Sequence, residues 1–339
     1  MGKGYFLRPH VGSRCVLYCS LWVLDYSAEN DFQSLNFKMR HYPGVCGTAE
    51  MAWLRYNPNF GRTPSRSCAP VRASIFKVNS IACGQGVMRI REGVQVAGMS
   101  DLGCQRENNE DCYSYWEPAD DAEFARKGRL AIVADGMGGH EGGQEASRIA
   151  VETIERVYSE QADGEAQMQL LVGFREAHQQ IVRFAMEHPE FRGMGTTATA
   201  IVLLGNQLFY GHIGDSRLYR VHGKQITRMT RDHSYVGRLF ENGVISAAEA
   251  ETHPQRHILT AALGTGPEFT PDSAPQPIIL ESGDTLVLCT DGLWGPLTDR
   301  EVQEAVIANP PMEACRALIA LARERGGPDN ITLQVLRID

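Results

Sequence analysis

Carboxylate side chains recur beside short apolar runs that are typical of β-strands. If those strands are neighbours, their ends bring several carboxylates together, and like charges a few ångströms apart destabilise one another unless a proton or a cation intervenes. Oxygen ligands without a cluster of histidine or cysteine favour hard cations, Mg²⁺ or Mn²⁺. The residues are Asp135 after 130–134, Asp215 after 209–214, Asp291 after 286–290, Asp329 before the run from Ile331, and the acid pair Glu110-Asp111.

Glycine follows two of these aspartates, in Asp135-Gly136 and Asp291-Gly292. Because glycine lets the backbone come close, the Gly136 carbonyl is a further candidate ligand. Asp-Gly is also a common turn dipeptide, which is the alternative explanation for either aspartate taken alone.

The charge of the chain is divided unevenly. The 339 residues include 33 Lys and Arg and 41 Asp and Glu, a formal net charge of −8, yet residues 1–87 are basic and residues 88–339 are acidic. An acidic body argues against broad nucleic-acid binding. No run of 18 apolar residues is present, so no membrane span is expected. Nine cysteines that do not pair by spacing indicate reduced thiols and a cytoplasmic protein.

Residues 1–87 have no sustained period of 3.6 or 2, and prolines interrupt every candidate element. This segment could be a small accessory domain, a disordered arm, or sequence upstream of the true start that is not translated. We favour the last interpretation, because Met88 opens a pattern that is regular from its first residues. Cys83 and Arg89 also fit the phosphate loop of cysteine-dependent phosphatases, but so short a pattern recurs by chance.

Strand-like and helix-like patterns alternate through residues 88–339. Asn206 and His222-Gly223 lie where hairpin turns should fall, so the middle strands are predicted to be antiparallel. The capping box Thr298-Asp-Arg-Glu301 predicts the start of a helix that runs to about Asn309. Strands with two helix pairs predict sheets covered by helices on both sides. The predicted strands are 130–134, 196–204, 207–213, 216–221, 285–290 and 331–336, and the other predicted helices are 146–158, 168–185 and 312–325.

Seven short motifs follow one another over about residues 94–338. They are SDLGCQRENNED (100–111), DGMGGH (135–140), GTTA (195–198), GDSRLYR (214–220), TRDHS (230–234), TDGL (290–293) and GPDNIT (327–332). In this order they resemble the metal-dependent protein phosphatases of the PPM, or PP2C, family in its bacterial form. The resemblance implies an α+β fold, a four-layer α/β/β/α sandwich of two antiparallel sheets flanked by helix pairs, which agrees with the pattern of elements above.

The resemblance also implies a centre of two or three Mn²⁺ or Mg²⁺ ions and a role for each carboxylate. An alternative role for Asp215 is to hold Arg217 in its turn. The implied ligands are Asp135, which bridges two ions; Asp291 and Asp329, which complete the first; the Gly136 carbonyl, Glu110 and Asp111, which hold the second; and Asp215, which supports a third.

Arg106 would grip the substrate phosphate through two N–H donors, and a solvated surface arginine is the alternative. A hydroxide that bridges the metals would attack phosphorus directly. The general acid is open: Met137 stands where animal-type members have histidine, and His140 or a metal-bound water could serve. Residues 232–264 resemble the mobile flap of bacterial members, although His257 and Ala261 depart from the usual pattern, which puts inherited substrate preference in doubt.

The implied function is metal-dependent hydrolysis of phosphoserine and phosphothreonine on proteins. The implied partners are phosphoproteins, the substrates of a cognate Ser/Thr kinase or of a type VI secretion pathway, and the protein is expected to be a monomer. A catalytically silent phosphoprotein sensor of the same fold is the first alternative, which the complete set of metal carboxylates disfavours. A phosphatase that depends on Cys83 is the second.

Overall fold

The computed structural model describes residues 91–339, apart from 139–140, 162–163, 247–248, 251–252 and 267–269, together with the backbone of three strands between residues 15 and 39. Two residues that the sequence singled out, Cys83 and His140, lie outside the described residues. The chain forms two compact units, Met1–Arg66 and Ser67–Asp339.

The first unit contains a three-stranded antiparallel sheet in the order β1-β2-β3. The sequence did not predict these strands, because their apolar and polar residues do not alternate regularly. They are β1 (Cys15–Cys19), β2 (Trp22–Ser27) and β3 (Asn36–Met39).

The second unit contains two antiparallel sheets. The five-stranded sheet has the order β11-β10-β14-β15-β4, and the seven-stranded sheet has the order β12-β9-β8-β6-β5, with β13 beside β9 and β7 beside β6. The strands are β4 (Val94–Asp101), β5 (Asp111–Trp116), β6 (Arg129–Met137), β7 (Gly195–Thr196), β8 (Ala198–Leu204), β9 (Gln207–Ile213), β10 (Arg217–His222), β11 (Gln225–Arg228), β12 (Asp272–Ser273), β13 (Ile278–Ile279), β14 (Thr285–Cys289) and β15 (Ile331–Ile338).

Helices cover the outer face of each sheet. A long pair, α2 and α3, packs on the seven-stranded sheet, and a second pair, α6 and α7, packs on the five-stranded sheet. The described helices are α1 (Asp121–Lys127), α2 (Glu141–Glu160), α3 (Ala166–Glu187), α4 (Tyr235–Glu241), α5 (Asp291–Trp294), α6 (Asp299–Ala308) and α7 (Pro311–Glu324), with a 3₁₀ turn at Pro189–Phe191. None of them is long and apolar enough to cross a lipid bilayer.

Strand β14 shows why the four layers hold together. Leu286 and Leu288 point into an apolar layer between the two sheets, whereas Val287 and Cys289 point into a layer shared with α6 and α7. Successive side chains of a strand face opposite sides, so a strand that is buried on both sides must be apolar throughout. This is why the sequence shows a continuous apolar run here and not an alternating one.

Strand β6 plays the same part in the other sheet. Ala131 and Val133 join the layer between the sheets, and Leu130, Ile132 and Ala134 join a third apolar layer under α2 and α3. The predicted four-layer α/β/β/α sandwich of two antiparallel sheets is thus confirmed. The hairpin turns predicted at Asn206 and at His222-Gly223 are also present, between β8 and β9 and between β10 and β11.

Candidate metal centre

The predicted site residues come together at one end of the sandwich. Asp111 opens β5 and lies opposite Asp135 of β6 in the antiparallel register. Asp291 follows β14, and Asp329 precedes β15, which pairs with β14. Asp215 lies in the turn that leads from β9 of one sheet to β10 of the other. The strands whose proximity the sequence could not establish are therefore neighbours, and the two sheets share the site between them.

Asp135 is held by its backbone, which leaves its carboxylate to face the cleft. Its N–H donates to Thr197 Oγ1 at 2.9 Å, and its carbonyl accepts from Thr197 N–H and Thr196 Oγ1, both at 2.8 Å. The next residue must be glycine, because a Cβ at Gly136 would overlap the carbonyl of Gly143. Both threonines belong to the GTTA motif, for which the sequence suggested no function.

Asp291 begins the short helix α5 at the end of the five-stranded sheet. Its Oδ1 atom is buried and has no hydrogen-bond partner, and its Oδ2 atom lies 3.8 Å from Nδ1 of His257 in the flap. Buried carboxylate oxygens without a partner are rare, since desolvation without a compensating bond is costly. An oxygen of this kind is a candidate ligand for a cation.

Asn330 connects the two halves of the site, a role that was not predicted from the sequence. Its Oδ1 accepts from the N–H of Glu110 at 2.8 Å, and its own N–H donates to Asp329 Oδ1 at 2.8 Å. Its Nδ2 donates to the carbonyl of Asn108 at 3.0 Å. Only the position of this residue within the GPDNIT motif could have signalled that function.

Asp215 is fixed through the backbone, and the guanidinium of Arg217 forms its hydrogen bonds with a different aspartate. Its carbonyl accepts from Trp294 Nε1 at 2.9 Å. Arg217 is held by Asp232, with Nη2 2.7 Å and Nε 3.1 Å from its two carboxylate oxygens, and its guanidinium lies over the ring of Trp294. Asp232 therefore accepts the hydrogen bonds of the Arg217 guanidinium, and Arg217 acts on Asp215 through its charge.

Burial and mutual repulsion raise the pKa values of the central carboxylates. Burial raises the pKa of Asp135 well above its usual value, and the charges of Asp111, Asp291, Asp215 and Asp329 raise it further. Burial likewise raises the pKa of Asp111 to about 7, although threonine hydroxyls that donate to it act in the opposite direction. The pKa of Asp215 also lies well above its usual value, from burial and then from Asp291. Nearby positive charge would relieve all three.

The carboxylates fit a hard cation, although they are not arranged as a closed coordination site. Among the described residues, no group of three or more His, Cys, Asp or Glu side chains could hold a metal ion as it stands. Asp329 Oδ2 accepts from Arg106 Nη2 at 2.7 Å, and Asp111 Oδ2 accepts from Thr290 Oγ1 at 2.8 Å. A cation would replace such donors. The oxygen-only ligand set, the partnerless Asp291 oxygen and the raised pKa values all match Mn²⁺ or Mg²⁺.

A cleft of about 1240 Å³ opens over these groups. Arg106 lines it with a half-exposed guanidinium, and the flap contributes residues from Arg256 to Ala262. Asp111 lies opposite Asp135 on the neighbouring strand and is not in the lining. The predicted site residues that line the cleft are Arg106, Glu110, Asp135, Gly136, Asp215, Asp291 and Asp329.

The fold and the site define a class of protein, and comparison with known proteins agrees with it. The family model described as protein phosphatase 2C matches residues 109–323. The chain is 33% identical over 250 residues to the protein phosphatase PhpP of Streptococcus pneumoniae, a match that covers 73% of this chain and 98% of PhpP. The chain therefore belongs to the protein phosphatase 2C family.

Other relatives are matched over the same part of the chain. It is 36% identical over 247 residues to the serine/threonine protein phosphatase PstP of Mycobacterium tuberculosis, covering 73% of this chain and 45% of PstP. The chain thus spans just under half the length of that relative.

Solved structures show the same similarity. The catalytic domain of PstP in complex with two manganese ions has a TM-score of 0.63 and 33% identity, covering 73% of this chain and 99% of that one. PppA, described as a key regulatory component of T6SS in Pseudomonas aeruginosa, has a TM-score of 0.62 and 31% identity, covering 73% and 98%.

Proposed function

We propose that this protein hydrolyses phosphoserine and phosphothreonine on other proteins and depends on Mn²⁺ or Mg²⁺. The observation that carries the proposal is the convergence of Asp135, Asp215, Asp291 and Asp329 on one cleft, where a buried Asp291 oxygen has no partner in the protein. A cleft of about 1240 Å³ can admit a peptide segment. The named relatives are serine/threonine phosphatases, which supports the same activity.

Two ions would be held by residues from both sheets, and a third by Asp215. Bound ions would make a deprotonated water available near neutral pH and offset negative charge on the phosphoryl group. PstP binds two manganese ions, which supports the same number here. The proposed ligands are Asp135 between both ions, Asp291 and Asp329 on the first, the Gly136 carbonyl with Glu110 and Asp111 on the second, and Asp215 on the third.

Arg106 is the residue of this chain that would orient the substrate. Its guanidinium is half-exposed at the cleft and can leave Asp329 for a phosphate, which accepts two parallel N–H bonds. Release of Asp329 would at the same time free a carboxylate oxygen for a cation. We propose His140 as the proton donor to the leaving serine or threonine oxygen of the substrate.

We also propose the source of the substrates, the location of the protein and its oligomeric state. We infer that the substrates are phosphoproteins made by a cognate Ser/Thr kinase, and the similarity to PppA supports a T6SS-related pathway as one source. Among the described residues, Cys112, Cys289 and Cys315 are free thiols, which supports a cytoplasmic location. The proposed site is built from one chain, so we propose a monomer that binds no nucleic acid.

The test is hydrolysis of p-nitrophenyl phosphate and of a phosphothreonine peptide by the full chain with Mn²⁺. We expect turnover that EDTA abolishes and that Asp135→Ala or Asp291→Ala reduces at least a thousandfold while the protein stays folded. Binding of the phosphopeptide without turnover would favour a silent sensor. Activity that survives EDTA and disappears in Cys83→Ser would identify a cysteine phosphatase instead.

A further inference from the structure

The two ends of the flap run side by side where they join the domain. The residue that follows His233, Ser234, forms a β-bridge with Leu259. The carbonyl of His233 itself accepts from Thr260 N–H at 2.8 Å. The TRDHS motif therefore lies at the base of the flap, and its histidine contacts the returning strand of the same flap.

His233 also binds the turn that carries Asp215, and it does so twice. Its backbone N–H donates to the Gly214 carbonyl at 2.7 Å, and its Nδ1 accepts from the Gly214 N–H at 3.2 Å. Because Nδ1 is the acceptor, the ring proton of neutral His233 is on Nε2, which faces Asp272 Oδ2 at 3.3 Å. Both ring nitrogens are thus used, and the ring has one defined orientation.

Packing holds this ring in place. The fully buried ring of His212 lies against it, with ring centroids 4.9 Å apart, and His212 Nε2 donates to the carbonyl of Arg231 at 2.8 Å. The far end of the flap is fixed separately. Leu263 and Thr196 exchange two backbone hydrogen bonds, of 2.8 and 3.0 Å.

We propose that His233 is a positioning residue that fixes the base of the flap against the Asp215 turn. The base of the flap, residues 259–262, then forms one wall of the cleft at a set distance from the proposed metal ligands. The inference rests on the proposed function. On this proposal His233 determines the width of the cleft, and that width matters for a peptide substrate but not for a small aryl phosphate.

The test compares His233→Ala with His233→Asn, because the asparagine Oδ1 can accept from Gly214 in place of Nδ1. His222→Ala, a change at an exposed histidine away from the cleft, is the control. For His233→Ala we expect backbone amides of residues 212–216 and 258–262 to exchange about fivefold faster, the effect of losing one hydrogen bond. KM for a phosphothreonine peptide should rise about fivefold, with p-nitrophenyl phosphate kinetics within twofold of wild type.

Restoration of exchange and KM by His233→Asn supports a positioning role. Wild-type exchange and KM in His233→Ala, or an equal loss of kcat on both substrates in both variants, overturns it. The exchange measurement needs no turnover, so it tests His233 even if the wild-type chain proves inactive, which would count against the proposed function instead. If His233→Ala does not fold, Asp272→Asn should show a smaller change in the same direction, and no change there overturns the inference.

Discussion

Asp111 shows how the environment acts on a single side chain of the proposed centre. It lies half-buried at the start of β5, opposite Asp135, and desolvation of its carboxylate raises its pKa to about 7. An unfolded aspartate has a pKa of about 3.9. Between these values the folded state holds more protons than the unfolded state, so the contribution of this residue to stability falls as pH rises through that window.

We therefore predict that Asp111→Asn stabilises the metal-free protein more at high pH than at low pH. Removing the charge should raise the free energy of unfolding in EDTA by up to roughly 4 kcal/mol at pH 8, and by much less at pH 5. Urea unfolding at both pH values measures the difference between variant and wild type. A difference that is independent of pH would show that Asp111 is not strained by its charge.

At this scale the sequence identified the carboxylates but not their partners. Aspartates beside strand ends can be seen in the printed sequence, and so can the glycine after Asp135. The pairing of Arg217 with Asp232, rather than Asp215, depends on how the turn at 214–216 is folded onto the flap. Residue type does not distinguish the two aspartates, and spacing favours the wrong one, because Asp232 is 15 residues from Arg217 along the chain and Asp215 is a near neighbour.

Among the elements, helix α6 is the one whose start was predicted most accurately from the sequence. Thr298 Oγ1 accepts from the backbone N–H of Glu301, and the Glu301 side chain accepts from the Thr298 backbone N–H, which completes the predicted capping box. The helix ends at Ala308, one residue before the predicted end. The capping groups satisfy N–H donors that a helix cannot satisfy within itself.

We predict that Thr298→Ala lowers the free energy of unfolding by about 1 kcal/mol and leaves kcat unchanged. The matched change Thr298→Ser keeps the capping oxygen and should stay close to wild type. Thermal unfolding of the three proteins, together with hydrolysis of p-nitrophenyl phosphate, makes the comparison. Equal stability of Thr298→Ala and wild type would mean that the cap contributes nothing.

Strands β4 and β5 were not predicted from the sequence. Polar residues interrupt their apolar pattern, among them Gln95 and Ser100 in β4 and Ser114 in β5. In the structure these positions are used: Ser100 binds Thr332 at 2.7 Å, and Ser114 binds Glu155 of α2. Hydrogen bonds to distant parts of the chain stabilise these strands, and a local sequence pattern contains no information about such bonds.

At the scale of the whole molecule, every residue proposed for the metal centre lies between 106 and 329. Relatives in the phosphatase family match about 73% of the chain. We therefore propose that residues 88–339 are the phosphatase domain. The order of strands in its sheets could not be predicted, because β15 lies between β14 and β4, and its first residue, Ile331, pairs with Asp101, which lies 230 residues earlier in the chain.

Removal of residues 1–87 should leave kcat/KM within about twofold of the full chain, since no proposed ligand is lost. The comparison uses both proteins purified side by side, with p-nitrophenyl phosphate and Mn²⁺. A large loss would establish the segment as part of the enzyme. Mass spectrometry of the protein made from its own gene asks the separate question of translation, and peptides from before Met88 would contradict our interpretation of that segment.

Gln334 is buried in β15, and its Nε2 donates across the sandwich to the carbonyls of Ile132 at 2.6 Å and Ser114 at 3.1 Å. It thereby fixes the offset of the two sheets, and the proposed ligands are divided between those sheets. Cation binding and folding must then be linked by mass action, because separated sheets cannot present the ligands together. The unfolding temperature of the protein at increasing Mn²⁺ concentration would therefore report the affinity of the centre without any substrate.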